Sequence, residues 1–498
     1  MKQEATIARQ AGISMAGFAF GQFVRFAYNL AAARLLGAEA LGTYALVVSV
    51  MQVGEVVATL GLDATLLRFA NRHEGEERRR VVASALWMGV LSALAVSALL
   101  IISSGWITTA LHGGELLRLT LCSAAAAIPV SVATLLAGHA VQASRRLAPK
   151  VLATQVVAPL ALLLLMVGAR YLSGIEAALV VPFVPTALLA FAWVLPAFGR
   201  ATGVGPGDLL RARPDRAMIH VAVPLLAVSL FGMFSHWIDI MMLGLLTDPR
   251  TVGLYHPAAR TAGLLRAVFL AFSGIAAPMI AACHARGDSA GIRKLYDLVS
   301  RWILTIVLLP AMILALFPKE ALSVFGSGFT GSSTALVLLA VSALLQAWFG
   351  LGSTVLAMAG GERLSLVNQA AALLLQVVLH LLLIPRYGLD GAAFSTLAVT
   401  LLLSAARAVE MRWLLGIGAL SRKAWKPLLS AAVTSSALLA ARPLLATLAP
   451  LQALAAGATG ASFIYILLIW TFRLEREELE VIFSFIPSRN NHSTNEVT

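Results

Sequence analysis

The sequence predicts an all-α polytopic membrane protein of about fourteen transmembrane helices, and three observations carry that prediction. Of its 498 residues, 59% are hydrophobic and 12% are charged, against roughly 25% charged in a soluble domain. Apolar runs of about 20 residues follow one another along the chain. Such runs read as membrane helices, because every backbone polar group must be bonded internally in lipid. The stretch from Phe20 to Tyr44 returns 211 residues later, from Phe231 to Tyr255.

Taken in order, the expected spans are roughly 11–33, 42–62, 82–103, 116–138, 151–171, 175–196, 217–246, 253–283, 299–317, 333–358, 365–384, 391–411, 424–440 and 450–471. The longest polar connection rich in Gly and Pro is 197–216, which separates two sets of six. The expected domains are therefore 1–210, a six-helix bundle with its linker; 211–415, a second six-helix bundle; and 416–498, two extra helices and a tail. The first apolar run is long and carries Arg25, so it reads as a retained helix, without a clear cleavable signal.

The repeat supports this division. Phe20/Phe231, Gly21/Gly232, Phe23/Phe234, Leu35/Leu246, Gly42/Gly253 and Tyr44/Tyr255 match without a gap. Each copy is an apolar helix, a short polar turn, then an aromatic at the start of the next helix. Six helices separate the copies, so both keep one orientation and the halves are expected as parallel repeats about an axis along the membrane normal.

Charge sets the orientation. The net charge of +13 falls between apolar runs, which argues for membrane topology and against nucleic acid as a partner. Of 37 Lys and Arg, Arg25, Arg260 and Arg266 lie inside spans. Arg34, Arg118, Arg170, Arg250, Lys319, Arg386 and Arg442 lie at one set of ends; the other 27 lie at the opposite set. That bias places both termini and the linker in the cytoplasm. Cys122 and Cys283 form no CxxC or Cys/His cluster, so no disulfide framework, metal site or cofactor is expected.

Two local patterns then resemble a known family. Arg34-Leu35-Leu36-Gly37 followed by Leu41-Gly42-Thr43-Tyr44 is similar to the first-hairpin turn of the polysaccharide flippase branch of the multidrug/oligosaccharidyl-lipid/polysaccharide (MOP) exporter superfamily. Ile384-Pro385-Arg386-Tyr387-Gly388-Leu389-Asp390-Gly391-Ala392-Ala393 is similar to the same family's pattern before its twelfth helix. The resemblance covers about residues 5–475. It implies two six-helix bundles in a V around a central cavity, plus two C-terminal helices, working by alternating access. The implied cargo is an oligosaccharide on undecaprenyl diphosphate, moved across the bacterial inner membrane for polysaccharide biosynthesis, lipopolysaccharide or exopolysaccharide. Glycosyltransferases and a polymerase are the implied companions, and membrane lipids the surroundings.

Ionisable residues inside spans are the candidate site, since they are costly there and face a cavity or a partner. Arg25, Arg260 and Arg266 suit a diphosphate, because guanidinium pairs with phosphate oxygens in a fork. Gln22 and Asn29 share Arg25's helical face at i−3 and i+4. Glu55, Asp239 and His236 are candidates for ion coupling or structural pairing. The offset of 211 makes Arg25 equivalent to His236 and Glu55 equivalent to Arg266. The competing reading pairs Arg25 with Glu55, and Asp239 with a nearby Arg, as ties between helices, while Arg260 snorkels to the interface. His139, His220 and His380 read as core or interface histidines. Pro224, Pro257 and Pro278 are expected to bend the seventh and eighth spans.

Three functions compete. A cation-coupled multidrug exporter of the same superfamily favours acidic residues in its cavity, and residues 11–33 contain none. A membrane enzyme needs a catalytic loop with paired carboxylates or a metal, and the outer loops are short and nearly acid-free. A flippase for lipid-linked oligosaccharide fits, with lipid II as the neighbouring alternative cargo.

Overall fold

A computed structural model of the chain describes residues 2–418 and 423–472, without the side chains of residues 2–11 and 362. The side chains of Lys2 and Arg9, with Arg422, Arg473, Arg476 and Arg489, therefore lie outside the described residues. Every described element is helical. In order they are α1 (Lys2–Thr59), α2 (Leu62–Ala70), α3 (Gly75–Ile102), α4 (Ser104–Ala110) and α5 (Glu115–Ala143). Then α6 (Ala148–Val151) runs through one π-helical turn (Leu152–Val157) into α7 (Ala158–Ser173). α8 (Ile175–Val180), α9 (Phe183–Thr202), α10 (Pro206–Leu210), α11 (Arg216–Leu246), α12 (Pro249–Gly263) and α13 (Leu265–Ala285) follow. The described chain ends with α14 (Ser289–Leu316), α15 (Pro318–Ser323), α16 (Ser333–Met358), α17 (Glu362–Leu415), α18 (Trp425–Leu445) and α19 (Pro450–Thr471).

Among the described residues twelve helical segments are long and apolar enough to cross a membrane, and two of them run 59 and 53 residues. Straight, each of those would extend roughly 80–90 Å at 1.5 Å per residue, against about 30 Å of hydrocarbon. Neither is straight. α1 breaks at Gly37 (φ 85°, ψ 179°) and α17 at Gly388 (φ 55°, ψ −130°). Those backbone angles favour glycine, and both glycines sit in the two family-like patterns. Counting the two arms of each separately gives fourteen crossings. At the first break the freed helix-end carbonyl of Leu35 accepts from Arg170 Nε at 3.1 Å, and Arg34 Nε donates to Val324 O at 2.8 Å.

Pro224 and Pro278 lie within continuous helices. The eighth span breaks between Gly263 and Leu265, six residues beyond Pro257. A proline removes one hydrogen bond, and packing on its neighbours holds the helix through that gap. The linker is ordered: α10 carries Asp208, which bonds Arg79 at 2.8 Å and accepts from the Gly205 amide at 2.8 Å. That amide, and then Arg79, hold the Asp208 carboxyl below the usual range.

Contacts divide the chain into two compact units that cut across its covalent halves. The first holds 1–263, 322–342 and 363–403; the second holds 264–321, 343–362 and 404 onward. The boundary passes through α16 and α17. The first unit has one core around Leu66, Val82, Ile128 and Leu136, and another around Tyr28, Ala32, Leu41 and Phe325. The second unit is held by Tyr296 with Leu351 and Val355, and by Leu304 with Phe317, Ala461 and Tyr465.

Within the first unit α1 packs most extensively on α12, and the contact has its own symmetry. A Cβ at Gly42 would strike the Pro249 carbonyl and the Gly253 amide. A Cβ at Gly253 would strike the Ala38 carbonyl and the Gly42 amide. Each contact becomes the other by adding or subtracting 211. Such reciprocity marks a two-fold axis between equivalent surfaces.

Candidate binding site

Arg25 sits on the first arm of α1, facing the π-helical turn. Its Nη1 donates to Gln155 Oε1 at 2.9 Å and its Nη2 to the Thr154 carbonyl at 3.3 Å. Local chemistry explains why that carbonyl is free. In a π turn the N–H of residue i bonds the carbonyl of i−5, and residue 159, five beyond Thr154, is proline and has no N–H. Arg25 supplies the missing donor. Gly21 permits the approach: a Cβ there would meet the Gln155 carbonyl at 2.5 Å. Asn29 is buried, and its Nδ2 turns back to the Arg25 carbonyl at 2.7 Å. Gln22 is half-buried on the same helix.

The ion pair of Arg25 with Glu55 does not form. Glu55 instead bonds Ser131 on α5, and among the described residues no ion pair links it to Arg25. The sequence placed the acid at the right depth for a partner; the π turn and Ser131 satisfy the two groups separately.

Tyr44 lies on the second arm of α1. Its ring packs against Tyr28, centroids 4.6 Å apart, with a hydrogen bond between the two hydroxyls. Arg260, on α12, donates from Nε to His256 Nε2 at 3.1 Å, and its guanidinium lies 4.5 Å from the Trp237 ring centroid. A cation over an indole face is held without spending its outer N–H groups. Trp237 is fixed in turn by a bond from Nε1 to Gln52 Oε1 at 3.1 Å. Arg260 is thus held within the first unit by named side chains.

Asp239 belongs to a separate polar cluster in the same unit. It accepts from Tyr255 Oη at 2.8 Å, Gln376 Nε2 at 2.7 Å and Thr396 Oγ1 at 3.1 Å. His380 Nε2 stands 3.5 Å from its Oδ1. The partners expected from the sequence differ: no arginine pairs with Asp239 among the described residues, and His236 packs edge-on against Trp237 at 5.1 Å instead. The repeat reappears here, since Tyr28 with Tyr44 in one copy matches Asp239 with Tyr255 in the other. Arg266 is exposed on α13 in the second unit.

Sequence reasoning missed Tyr44, Gln155, Gln52, Trp237 and His256 as site residues. Gln155 carried a readable signal, a polar residue four before Pro159. The others are reached only through tertiary packing. Among the described residues no group of His, Cys, Asp and Glu could hold a metal.

Comparison with known proteins adds three findings. Residues 7–284 match the model of a family described as polysaccharide biosynthesis protein. A curated relative, the probable low-salt glycan biosynthesis flippase Agl15 of Haloferax volcanii, is 26% identical over 172 residues, 34% of this chain and 36% of that protein; the match spans about a third of its length. Among solved structures, the lipid II flippase MurJ in an inward closed conformation superposes with a TM-score of 0.74 at 11% identity, covering 92% of this chain and 98% of that one. An inward-facing multidrug resistance MATE family transporter of the MOP superfamily gives 0.68 at 15% identity, covering 81% and 98%. Likeness at that identity concerns the fold.

Proposed function

Because the chain belongs to the polysaccharide biosynthesis protein family of the MOP superfamily, whose members are transporters and flippases and not enzymes, we propose that it flips an oligosaccharide on undecaprenyl diphosphate across the bacterial inner membrane by alternating access. The observation that carries this reading is a strong cation on a helix from each copy of the repeat: Arg25, facing Gln155 and Thr154, and Arg260, over the Trp237 ring. Charges inside apolar helices call for a partner, and an anionic head group is a suitable counter-ion. Arg266 is the third cation of the proposal, with Gln22 and Asn29 lining the path. The two six-helix halves, 1–210 and 211–415, are the proposed rocking bodies. The curated relative is a glycan biosynthesis flippase by its name, and that chemistry suits the site.

Depletion of the protein in cells tests the cargo. Undecaprenyl diphosphate-linked oligosaccharide should accumulate while lipid II and cell shape are unaffected. Arrest of peptidoglycan synthesis instead would assign lipid II as cargo. Drug sensitisation with normal glycan would favour the cation-coupled multidrug exporter.

The proposed orientation has both termini and the linker in the cytoplasm, following the basic bias. A single cysteine at Gly205, in a chain with Cys122 and Cys283 removed, should resist an impermeant thiol reagent in intact cells and react after permeabilisation. Labelling in intact cells would reverse the orientation.

A further inference from the structure

We infer that Asp239 and His380 form a proton-binding site through which the proton gradient drives transport; the coupling part of this rests on the flippase reading above. His380 is fully buried; its ring faces the Ala392 backbone, and neither ring nitrogen makes a hydrogen bond of good geometry. Buried polar groups are almost always bonded, so one held this loosely calls for an explanation. His380 also faces a carboxylate, Asp239 Oδ1, 3.5 Å from Nε2. That is within reach of an ion pair and too loose for a hydrogen bond.

The carboxylate is prepared for such a partner. Tyr255, Gln376 and Thr396 donate three neutral hydrogen bonds to it, which satisfies it as an anion and adds no charge. A proton on His380 would convert the 3.5 Å gap into a charge-assisted bond, and nothing else in the cluster supplies a positive charge to compete. Several other titratable or charged groups sit on these elements. His236 packs on Trp237, and His256 accepts from Arg260. Arg386 and Asp390 flank the Gly388 break at the far end of the α17 arms.

The cluster ties together elements able to move. Asp239 is on α11 and Tyr255 on α12. Gln376 and His380 are on the arm of α17 before the Gly388 break, and Thr396 is on the arm after it. Drawing His380 towards Asp239 pulls one arm relative to the other about a glycine already in a non-helical conformation. The repeat shows that this site is particular to one copy: the counterpart of Asp239 is Tyr28, which makes a neutral pair with Tyr44. The acid and the base of this site thus belong to the second copy alone.

The test reads the proton directly. The full chain is purified into lipid nanodiscs with ring-¹⁵N histidine and titrated by NMR between about pH 5 and pH 9. His380 is assigned by the resonance lost in His380→Gln, or in His380→Asn if the first does not fold. The expected result is a His380 that takes up a proton within this range, with a midpoint about one pH unit or more lower in Asp239→Asn. A His380 that stays neutral throughout, or a midpoint indifferent to Asp239→Asn, overturns the site. In proteoliposomes, transport of lipid-linked oligosaccharide should respond to an imposed pH gradient in the wild type and not in His380→Gln. A wild type indifferent to the gradient overturns the coupling. A wild type that moves no such lipid refutes the flippase reading, and the NMR titration still decides the proton site.

Discussion

Arg25→Ala is expected to lower export of the lipid-linked glycan by roughly ten- to a hundredfold, with the protein at normal levels in the membrane. The estimate follows from the loss of a hydrogen-bonded charge, about 1.5–3 kcal/mol, at about 1.4 kcal/mol per tenfold. Arg25→Lys should recover part of it, because charge survives while the bidentate fork is lost. Two controls separate binding from scaffolding. Arg25 bonds Gln155 and the Thr154 carbonyl within the protein, so Gln155→Ala removes a structural partner and leaves the cation; its effect should stay within a few-fold. The double change Arg25→Ala with Glu55→Ala should not recover function, since Glu55 is satisfied by Ser131. Export assays with membrane quantification decide it. Gln155→Ala as damaging as Arg25→Ala, or recovery in the double variant, would make Arg25 a structural residue.

The second large effect is expected at the crossing of α1 and α12. Gly42→Ala and Gly253→Ala each place a methyl group against backbone of the opposite helix, which cannot rotate away as a side chain can. Overpacking of this kind costs about 1–3 kcal/mol. Thermal unfolding in detergent should fall by several degrees for either variant. Because the contact is reciprocal, the two losses should be similar. The double variant should lose less than their sum, since the first methyl already separates the helices. Unchanged melting for both would show that the helices do not pack this closely.

Much of the architecture was legible because membrane physics writes it plainly. Apolar runs of span length gave the helices. Gly37 and Gly388 stood out inside turn patterns, and both turned out to hold backbone angles that favour glycine. The site was legible only in part. Arg25 and Arg260 stood out as charges inside apolar runs, yet their partners did not. Glu55 was the natural guess for Arg25, since both are charged and deep. The real partner is a carbonyl exposed by a π turn, a backbone feature that composition does not reveal. Asp239 likewise waited for Gln376, His380 and Thr396, 137 to 157 residues away in sequence and joined to it by folding alone.

The reciprocal glycines also speak to ancestry. A surface in which each residue meets the counterpart of its own neighbour is what two identical chains make when they pair as a homodimer. In such a pair a single glycine would have served both sides, and one mutation would have struck the crossing twice. A single chain is free of that constraint: Arg25 stands where its counterpart is His236, and Tyr28 where its counterpart is Asp239. The crossing kept its inherited symmetry, while the polar positions around it were released to specialise.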